Sequence, residues 1–414
     1  MADRTIIHAD MNNCYASIEM LHHPKLRGHP VAVGGSVEQR HGIILARNYE
    51  ARPFGIKVGQ ALWQARQLCP KLIIVPPDYG KYLRYSRLFR NILSDYSPQV
   101  EAFGLDECWT DISGVAKGDN GGQVIADEIR ERVKSELGVT VSVGVSYNKI
   151  FAKLGSDIKK PDATTVITDV NYRDVVWPLP ASDLLGVGGA TGKKLSLYGI
   201  HTIGEIANTD PALLKSWLGQ WGLYLFYYSN GLDTSPVAET GEAGIIKSVG
   251  NSTTCPRDIE NDEDAQIVFQ NLSESVAERM RELGFQAKTV EMSLRRNDLS
   301  GFIRQITLKQ PTHISIELCA AAMELLRRNH NWELPLRSIG IRGTNLVPIC
   351  STRQLSLFTD DIRRDKLEKL EFAIDTIRQR HGHFSIDRAL LRLDDKLGKL
   401  NPKEDHVIHP VGYL

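Results

Sequence analysis

The apolar run Thr5-Ile6-Ile7-His8-Ala9 ends in Asp10, and far along the chain two β-prone runs flank the adjacent carboxylates Asp106 and Glu107. The first run reads as a strand. The other two read as a hairpin: Val100-Glu101-Ala102-Phe103, a turn Gly104-Leu105-Asp106, then Cys108-Trp109-Thr110-Asp111-Ile112. Pairing these strands gathers three carboxylates on one sheet edge. Such a cluster repels itself at neutral pH, and a divalent cation relieves the repulsion. Two Mg²⁺ ions roughly 3.5 to 4 Å apart are the usual device for in-line attack at phosphorus. The pattern therefore points to nucleotidyl transfer, with Asp10, Asp106 and Glu107 as catalytic, metal-holding residues. Taken alone, the Asp-Glu pair also fits a solvated loop.

At 414 residues the chain is too long for one ordinary core and should hold about three or four domains. No apolar run approaches the ~20 residues of a membrane helix, and Met1-Ala2-Asp3-Arg4-Thr5 lacks the regions of a signal peptide. The six cysteines (14, 69, 108, 255, 319, 350) are scattered, with no Cys-x-x-Cys, which argues for reduced cytoplasmic thiols and against zinc. Lys plus Arg equals Asp plus Glu, 50 each, so composition does not advertise a nucleic-acid partner. Charge can still be segregated by face, as Lys193-Lys194, Arg295-Arg296 and Arg327-Arg328 allow.

Short strands are expected at Val31 to Gly34 and Gly42 to Ala46, and a helix near 80 to 94 leads back to the hairpin. Helix Gln123 to Glu136, strand Val139 to Val145, helix Asn148 to Ile158 and strand Thr164 to Thr168 follow, from apolar spacing at Val124, Ile125, Ile129 and Val133 and alternation at 139, 141, 143 and 145. Residues about 170 to 235 read as helical. Their glycine-rich Leu185-Gly186-Val187-Gly188-Gly189 entry fits either a phosphate-holding hairpin or a plain interhelical turn. Ser235 to Gly244 reads as a flexible linker. A second α+β pattern begins at Lys247, with Val290, Met292 and Leu294 toward a core and Thr289, Glu291, Ser293 and Arg295 toward water.

Four ordered stretches resemble the Y-family of translesion DNA polymerases, the DinB/UmuC group: Met11-Asn12-Asn13-Cys14-Tyr15-Ala16-Ser17-Ile18-Glu19, Ala46-Arg47-Asn48-Tyr49-Glu50-Ala51-Arg52-Pro53-Phe54-Gly55, Gly144-Val145-Ser146-Tyr147-Asn148-Lys149-Ile150-Phe151-Ala152-Lys153, and Lys159-Lys160-Pro161. The resemblance implies an α+β multidomain, right-hand fold. Its parts are a palm (1–19 and 78–168), small fingers (20–77), a helical thumb with a helix-hairpin-helix (169–234), a linker (235–246), an α+β little finger (247–345) and a tail (346–414).

It also implies two Mg²⁺ ions on Asp10, the Met11 carbonyl, Asp106 and Glu107. Tyr49, Arg52 and Lys160, with Cys14 and Tyr15, would bind the dNTP, and Tyr15 would be the steric gate against a 2′-hydroxyl. Ile43, Leu45 and Gly59 would roof the template base. Primer-template DNA would meet Gly186, Gly188, Lys193, Ser248, Arg295, Ser338 and Arg342, of which Ser248, Ser338 and Arg342 lie on the wet faces of outer strands and Arg295 on that of the second strand. Gln354-Leu355-Ser356-Leu357-Phe358 resembles the bacterial sliding-clamp-binding peptide, through Gln354, Leu355, Leu357 and Phe358. After it, Leu367, Leu370, Ile374 and Ile377 recur at helical spacing, so part of the tail should be ordered.

The sequence departs from the family at Asn12, where a second aspartate is frequent, at Gly104-Leu105, and at Leu45, where a smaller residue is frequent. Neither Asn12 nor Gly104-Leu105 removes a metal ligand. The expected activity is template-directed, error-tolerant DNA synthesis without proofreading. A nucleotidyl cyclase shares the paired carboxylates but leaves the hairpin, little finger and clamp peptide unexplained. An inactive DNA- and clamp-binding accessory protein is the remaining alternative, against which stand all three carboxylates and all three triphosphate contacts.

Overall fold

The structure is a computed structural model that describes residues 4–36, 40, 42–118, 120–241, 245–349 and 361–402. Two compact units account for it, one holding 4–35 and 43–241, the other built on 245–349 and 361–402. The first unit opens with β1 (Ile6–Met11) and α1 (Cys14–His22). A small three-stranded sheet follows: β2 (Val31–Gly34), β3 (Ile44–Arg47), helix α2 (Leu62–Leu68), then β4 (Ile73–Val75), in order β3-β2-β4. The chain returns through α3 (Tyr79–Ser94) to the hairpin β5 (Val100–Ala102) and β6 (Glu107–Asp111). Helix α4 (Gly121–Arg132), β7 (Val141–Ser146), α5 (Lys149–Ile158) and β8 (Thr164–Ile167) complete a five-stranded sheet in order β5-β6-β1-β7-β8.

β1 is thus the central strand. The carboxylates gather at the end of central strands, not on a lateral sheet edge as expected from the sequence. Alternation along β1 sends Ile7, Ala9 and Met11 into the core with Tyr82, Phe89 and Ile129, while Ile6 packs with Trp109 and Ala152 of the other face. Even-numbered side chains of β1 therefore look toward α5. Gly144 permits that packing, because a Cβ there would lie 1.9 Å from the Ala152 carbonyl oxygen. β7 is buried along its whole length rather than on alternate residues, and Val124, expected in the core, is exposed.

Five short helices follow: α6 (Tyr172–Val176), α7 (Gly189–Leu197), α8 (Ile203–Asn208), α9 (Pro211–Leu218) and α10 (Gln220–Ser229). Gly186 turns into α7 at φ +90°, and any side chain there would strike Trp221. The expected linker is not free over its first half. Val237 is buried with Ile6 and Trp109, and the Ala238 N–H donates to Glu101 Oε2 at 2.9 Å.

The second unit pairs β9 (Ser248–Ile259), β10 (Phe285–Arg296), β11 (Gly301–Thr312) and β12 (Leu336–Pro348) in order β11-β10-β12-β9 under helices α11 (Asp262–Glu282) and α12 (Ser315–Asn329). β12 lies inside the sheet, which corrects its reading as an outer strand. Thr289, expected in water, is buried and accepts from Asn345 Nδ2 at 3.0 Å.

A further layer was legible only as a helical period. Helix α13 (Asp361–His381) and the short α14 (Asp395–Gly398) cover α11. Helix α13 turns Glu371, Asp375 and Arg378 inward and leaves Leu370 and Ile377 exposed, the reverse of an apolar seam. Charges on α11 are the reason: Arg281 meets Asp375 at 2.6 and 2.8 Å, and Glu274 accepts from Arg378 at 2.7 Å and Arg388 at 2.8 Å. Among the described residues no helix is long and apolar enough to cross a membrane.

Candidate active site

The register of the sheet sets Asp10 directly opposite Glu107. The Met11 N–H donates to the Asp106 carbonyl at 2.8 Å and fixes the hairpin tip. Asp10 and Glu107 look toward α5, where Asn148 caps the helix by accepting from the Phe151 N–H at 2.8 Å. Lys153, on the first turns of α5, then stands between the acids: its Nζ lies 2.8 Å from Glu107 Oε2 and 3.5 Å from Asp10 Oδ2. Lys160 reaches Asp10 Oδ2 at 2.8 Å, and Asp157 pairs with both lysines at 2.8 and 2.9 Å.

Two ammonium groups leave this cluster short of charge balance. Burial, then repulsion by Asp10, pushes the Asp106 carboxyl up to about 6. Burial pushes Glu107 up to about 7 against the pull of Lys153. Burial alone would lower the Lys153 ammonium, but Glu107, Asp157 and Asp10 hold it above its ordinary value. His8, fully buried beneath Glu107, is driven down by burial and then by Lys153 and Lys160, so it is neutral. The Ser156 hydroxyl donates to the Lys153 carbonyl at 2.7 Å, so at 2.9 Å it accepts from His8 Nδ1. That tautomer leaves His8 Nε2 as a bare acceptor 3.5 Å from Glu107 Oε2, a neighbour suited to the protonated acid.

Among the described residues, no group of three or more His, Cys, Asp or Glu is arranged to hold a metal ion. The lysines explain this, since Lys153 Nζ occupies the approach between Asp10 and Glu107. The donor set nevertheless suits a hard divalent cation. It consists of half-buried carboxylates held in a register that leaves two of them protonating near neutrality. Asn12 is not a weakened ligand. It is buried, donates to Ser142 Oγ at 3.0 Å and accepts from Thr140 Oγ1 and the Asp162 N–H, tying β1 to β7 and to the turn after α5.

Tyr49 and Arg52 leave β3 on a turn held by Asn48, whose side-chain oxygen accepts from the Val31 and Ala51 N–H groups. The Arg52 guanidinium carbon lies 4.1 Å from the Tyr49 ring centroid, and Nη2 donates to Asn13 Oδ1 at 3.0 Å. Tyr15 stacks flat on Tyr82 at 4.2 Å and meets Tyr79 edge-on, so its ring is braced. The Cys14 thiol instead packs in the core, leaving only its backbone available to a ligand. Ile43 is exposed, Leu45 half-buried, and the Gly59 N–H donates to the Ile44 carbonyl beside them.

Gly186 and Gly188 form the turn into α7, with Lys193 exposed on that helix. In the second unit Ser338 lies opposite Arg295 and Thr254, Thr344 opposite Ser248, and Arg342 opposite Gly250 and Glu291. A groove on this face is lined by Ser252, Thr254, Ser293, Arg295 and Ser338. Gln354, Leu355, Leu357 and Phe358 lie outside the described residues. Sequence reasoning gave no role to His8, Asn48, Lys153 or Asp157. Lys153 and Asn48 did stand inside the quoted motifs.

Known proteins share both units. Residues 9–157 match the impB/mucB/samB family, and residues 246–357 match that family's C-terminal domain. A protein named DNA polymerase IV from Acetivibrio thermocellus is 47% identical over 397 residues, spanning 96% of this chain and 100% of the relative. Another of that name from Clostridium kluyveri is 36% identical over 385 residues, spanning 92% and 96%. A solved Y-family DNA polymerase chimera of Dbh and Dpo4 superimposes with a TM-score of 0.74 at 23% identity, covering 83% of this chain and 99% of the chimera.

Proposed function

The chain belongs to the impB/mucB/samB family, the DinB/UmuC group of Y-family polymerases, and from that premise we infer that it is a template-directed, low-fidelity DNA polymerase that extends a primer 3′ end past damaged template bases. The observation that carries the reading is Asp10 facing Glu107 across β1 and β6, with Asp106 beside them and Lys160 next to Asp10. On this reading Asp10, the Met11 carbonyl, Asp106 and Glu107 hold two Mg²⁺ ions. When bound, such ions supply acidity to the primer 3′-hydroxyl and neutralise charge on the triphosphate and leaving pyrophosphate.

The chain's own residues do the rest. Lys153 and Lys160 balance the acids, and the Lys160 ammonium stands where it would meet a phosphate oxygen. Arg52, laid over Tyr49, presents planar donors to phosphate oxygens. Tyr15, braced by Tyr82 and Tyr79, places a rigid ring where a 2′-hydroxyl would project. Ile43, Leu45 and Gly59 roof the template base. DNA is held through the amides around Gly186 and Gly188, by Lys193, and by Ser248, Arg295, Ser338 and Arg342. None of these groups reads a base edge, so positioning and charge neutralisation dominate and geometric selection is weak.

Gln354, Leu355, Leu357 and Phe358 would dock in a pocket of the sliding clamp, and the five buried free cysteines among the described residues fit a reducing cytoplasm. Primer extension on undamaged and lesion-bearing templates tests the activity. Extension that stops at every lesion while undamaged templates are copied would remove the translesion assignment. Replacing Leu357 and Phe358 together by Ala should leave extension without a clamp unchanged and weaken clamp binding more than about tenfold. Unaltered clamp affinity in that variant would assign the peptide to the tail's own packing.

A further inference from the structure

Arg47 closes β3 opposite Ala32 of β2, two residues past the bulge at Leu45 in that pairing. Its Nε and Nη1 are sealed from solvent and have no hydrogen-bond partner among the described residues. Burial, and then the neighbouring Arg52, lowers its pKa. The same cluster holds two more unanswered groups, the Tyr49 hydroxyl and Asn13 Nδ2. Arg52 joins them, stacked on Tyr49 and donating to Asn13 Oδ1. The buried guanidiniums of the second unit have carboxylates: Arg281 has Asp375, and Arg378 has Glu274. Among the described residues, these two adjacent guanidiniums and two unanswered polar groups have no carboxylate in hydrogen-bond contact, Asp10 acting on Tyr49 only through space, so the site is short of an acceptor of high negative charge. A fold retains such unmade bonds where a ligand completes them.

We propose that Arg47 is a further phosphate-binding residue of the nucleotide pocket, setting a second guanidinium beside Arg52 on the incoming triphosphate. The inference rests on the proposed assignment of Tyr49, Arg52 and Lys160 to that triphosphate, a reading in which Arg47 had no part. A lysine would answer the charge but not the planar set of donors, so Arg47→Lys should be intermediate.

The test uses the full chain on a primer-template whose primer ends in a dideoxynucleotide, so that binding is read without chemistry. The complementary deoxynucleoside tri- and monophosphates are titrated against the parent, Arg47→Met, Arg47→Lys and, as reference, Arg52→Ala. Arg47→Met should weaken triphosphate binding about tenfold, equivalent to about 1.4 kcal/mol, and leave monophosphate binding nearly unchanged. In turnover on an extendable primer, KM should rise more than kcat falls. Should Arg47→Met fail to fold, Arg47→Gln carries the same comparison. Equal losses for tri- and monophosphate, or parental triphosphate affinity while Arg52→Ala is weakened, overturns the role of Arg47 alone. Parental affinity in Arg52→Ala as well removes the whole pocket assignment, and Arg47 with it.

Discussion

Two groups of charges, one buried and one half-buried, divide this molecule. In the second unit, Arg281, Arg378 and Arg388 meet Glu274, Glu371 and Asp375 in hydrogen-bonded pairs between 2.6 and 2.8 Å. Each charge has a partner of matching geometry. In the first unit, Asp10, Asp106 and Glu107 share Lys153 and Lys160, and two of the three acids are pushed toward neutrality. Beside them lie the unanswered donors of Arg47 and Asn13. Both groups are drawn away from water, that of the first unit only in part; satisfaction separates them. The paired layer serves to fix where helix α13 docks. The under-satisfied cluster is held ready for charges that arrive from outside.

The sharpest break in the comparison is removal of acids. Asp106→Ala or Glu107→Ala should lower single-nucleotide incorporation by about a thousandfold or more, with primer-template affinity nearly unchanged. Incorporation and a binding titration run together check this, and near-parental incorporation by both variants would sink the assignment. In the paired layer the response should be the opposite. Arg281→Ala leaves Asp375 buried without its guanidinium, while Glu371 keeps Arg388, and should cost about 3 to 5 kcal/mol of stability, while incorporation per folded molecule stays parental. Chemical denaturation of the full chain provides the measurement. Restoration of stability by Arg281→Met combined with Asp375→Leu would identify the loss as unpaired charge rather than lost packing.

Tyr15→Ala should reduce discrimination between dNTP and rNTP by about tenfold or more, about 1.4 kcal/mol per tenfold. An unchanged ratio of incorporation efficiencies in a folded variant would place the gate elsewhere. The smallest effect follows from protonation. Glu107 titrates near 7 in the folded chain against an ordinary 4.5, so the folded state holds the proton more tightly. Stability is therefore full at low pH and falls as pH rises through the window from 4.5 to about 7. Glu107→Gln mimics the neutral acid and lacks this loss. In chelator, the melting temperature of the parent relative to Glu107→Gln should drop by a few degrees from about pH 5 to about pH 8. A difference independent of pH would mean that Glu107 is charged throughout.

Much of the site was legible because it rests on strand period and local turns. Asp10 closing an apolar run and Asp106-Glu107 closing a hairpin sufficed to place three carboxylates together, and the structure sets Asp10 against Glu107. Lys153 was not legible as a partner of Glu107. Its place depends on how closely α5 approaches the sheet, which Gly144 permits through a contact that no local pattern encodes. Arg47 was invisible for a similar reason, since a charged residue ending a short strand ordinarily faces water.

Sequence alone determined what is periodic: most strands and the longer helices of both units, though not α2 or β4, together with the pairing of the carboxylate strands and the helical segment after residue 360. Tertiary structure decided which side of each element is inside. The apolar positions Leu370 and Ile377 promised a buried seam, yet α13 buries Glu371, Asp375 and Arg378, because α11 offers it Glu274 and Arg281. Hydrophobic period predicts burial when the opposing surface is apolar. When the opposing surface carries charges already removed from water, only matching charges can cover it, and that match belongs to the pair of helices rather than to either sequence.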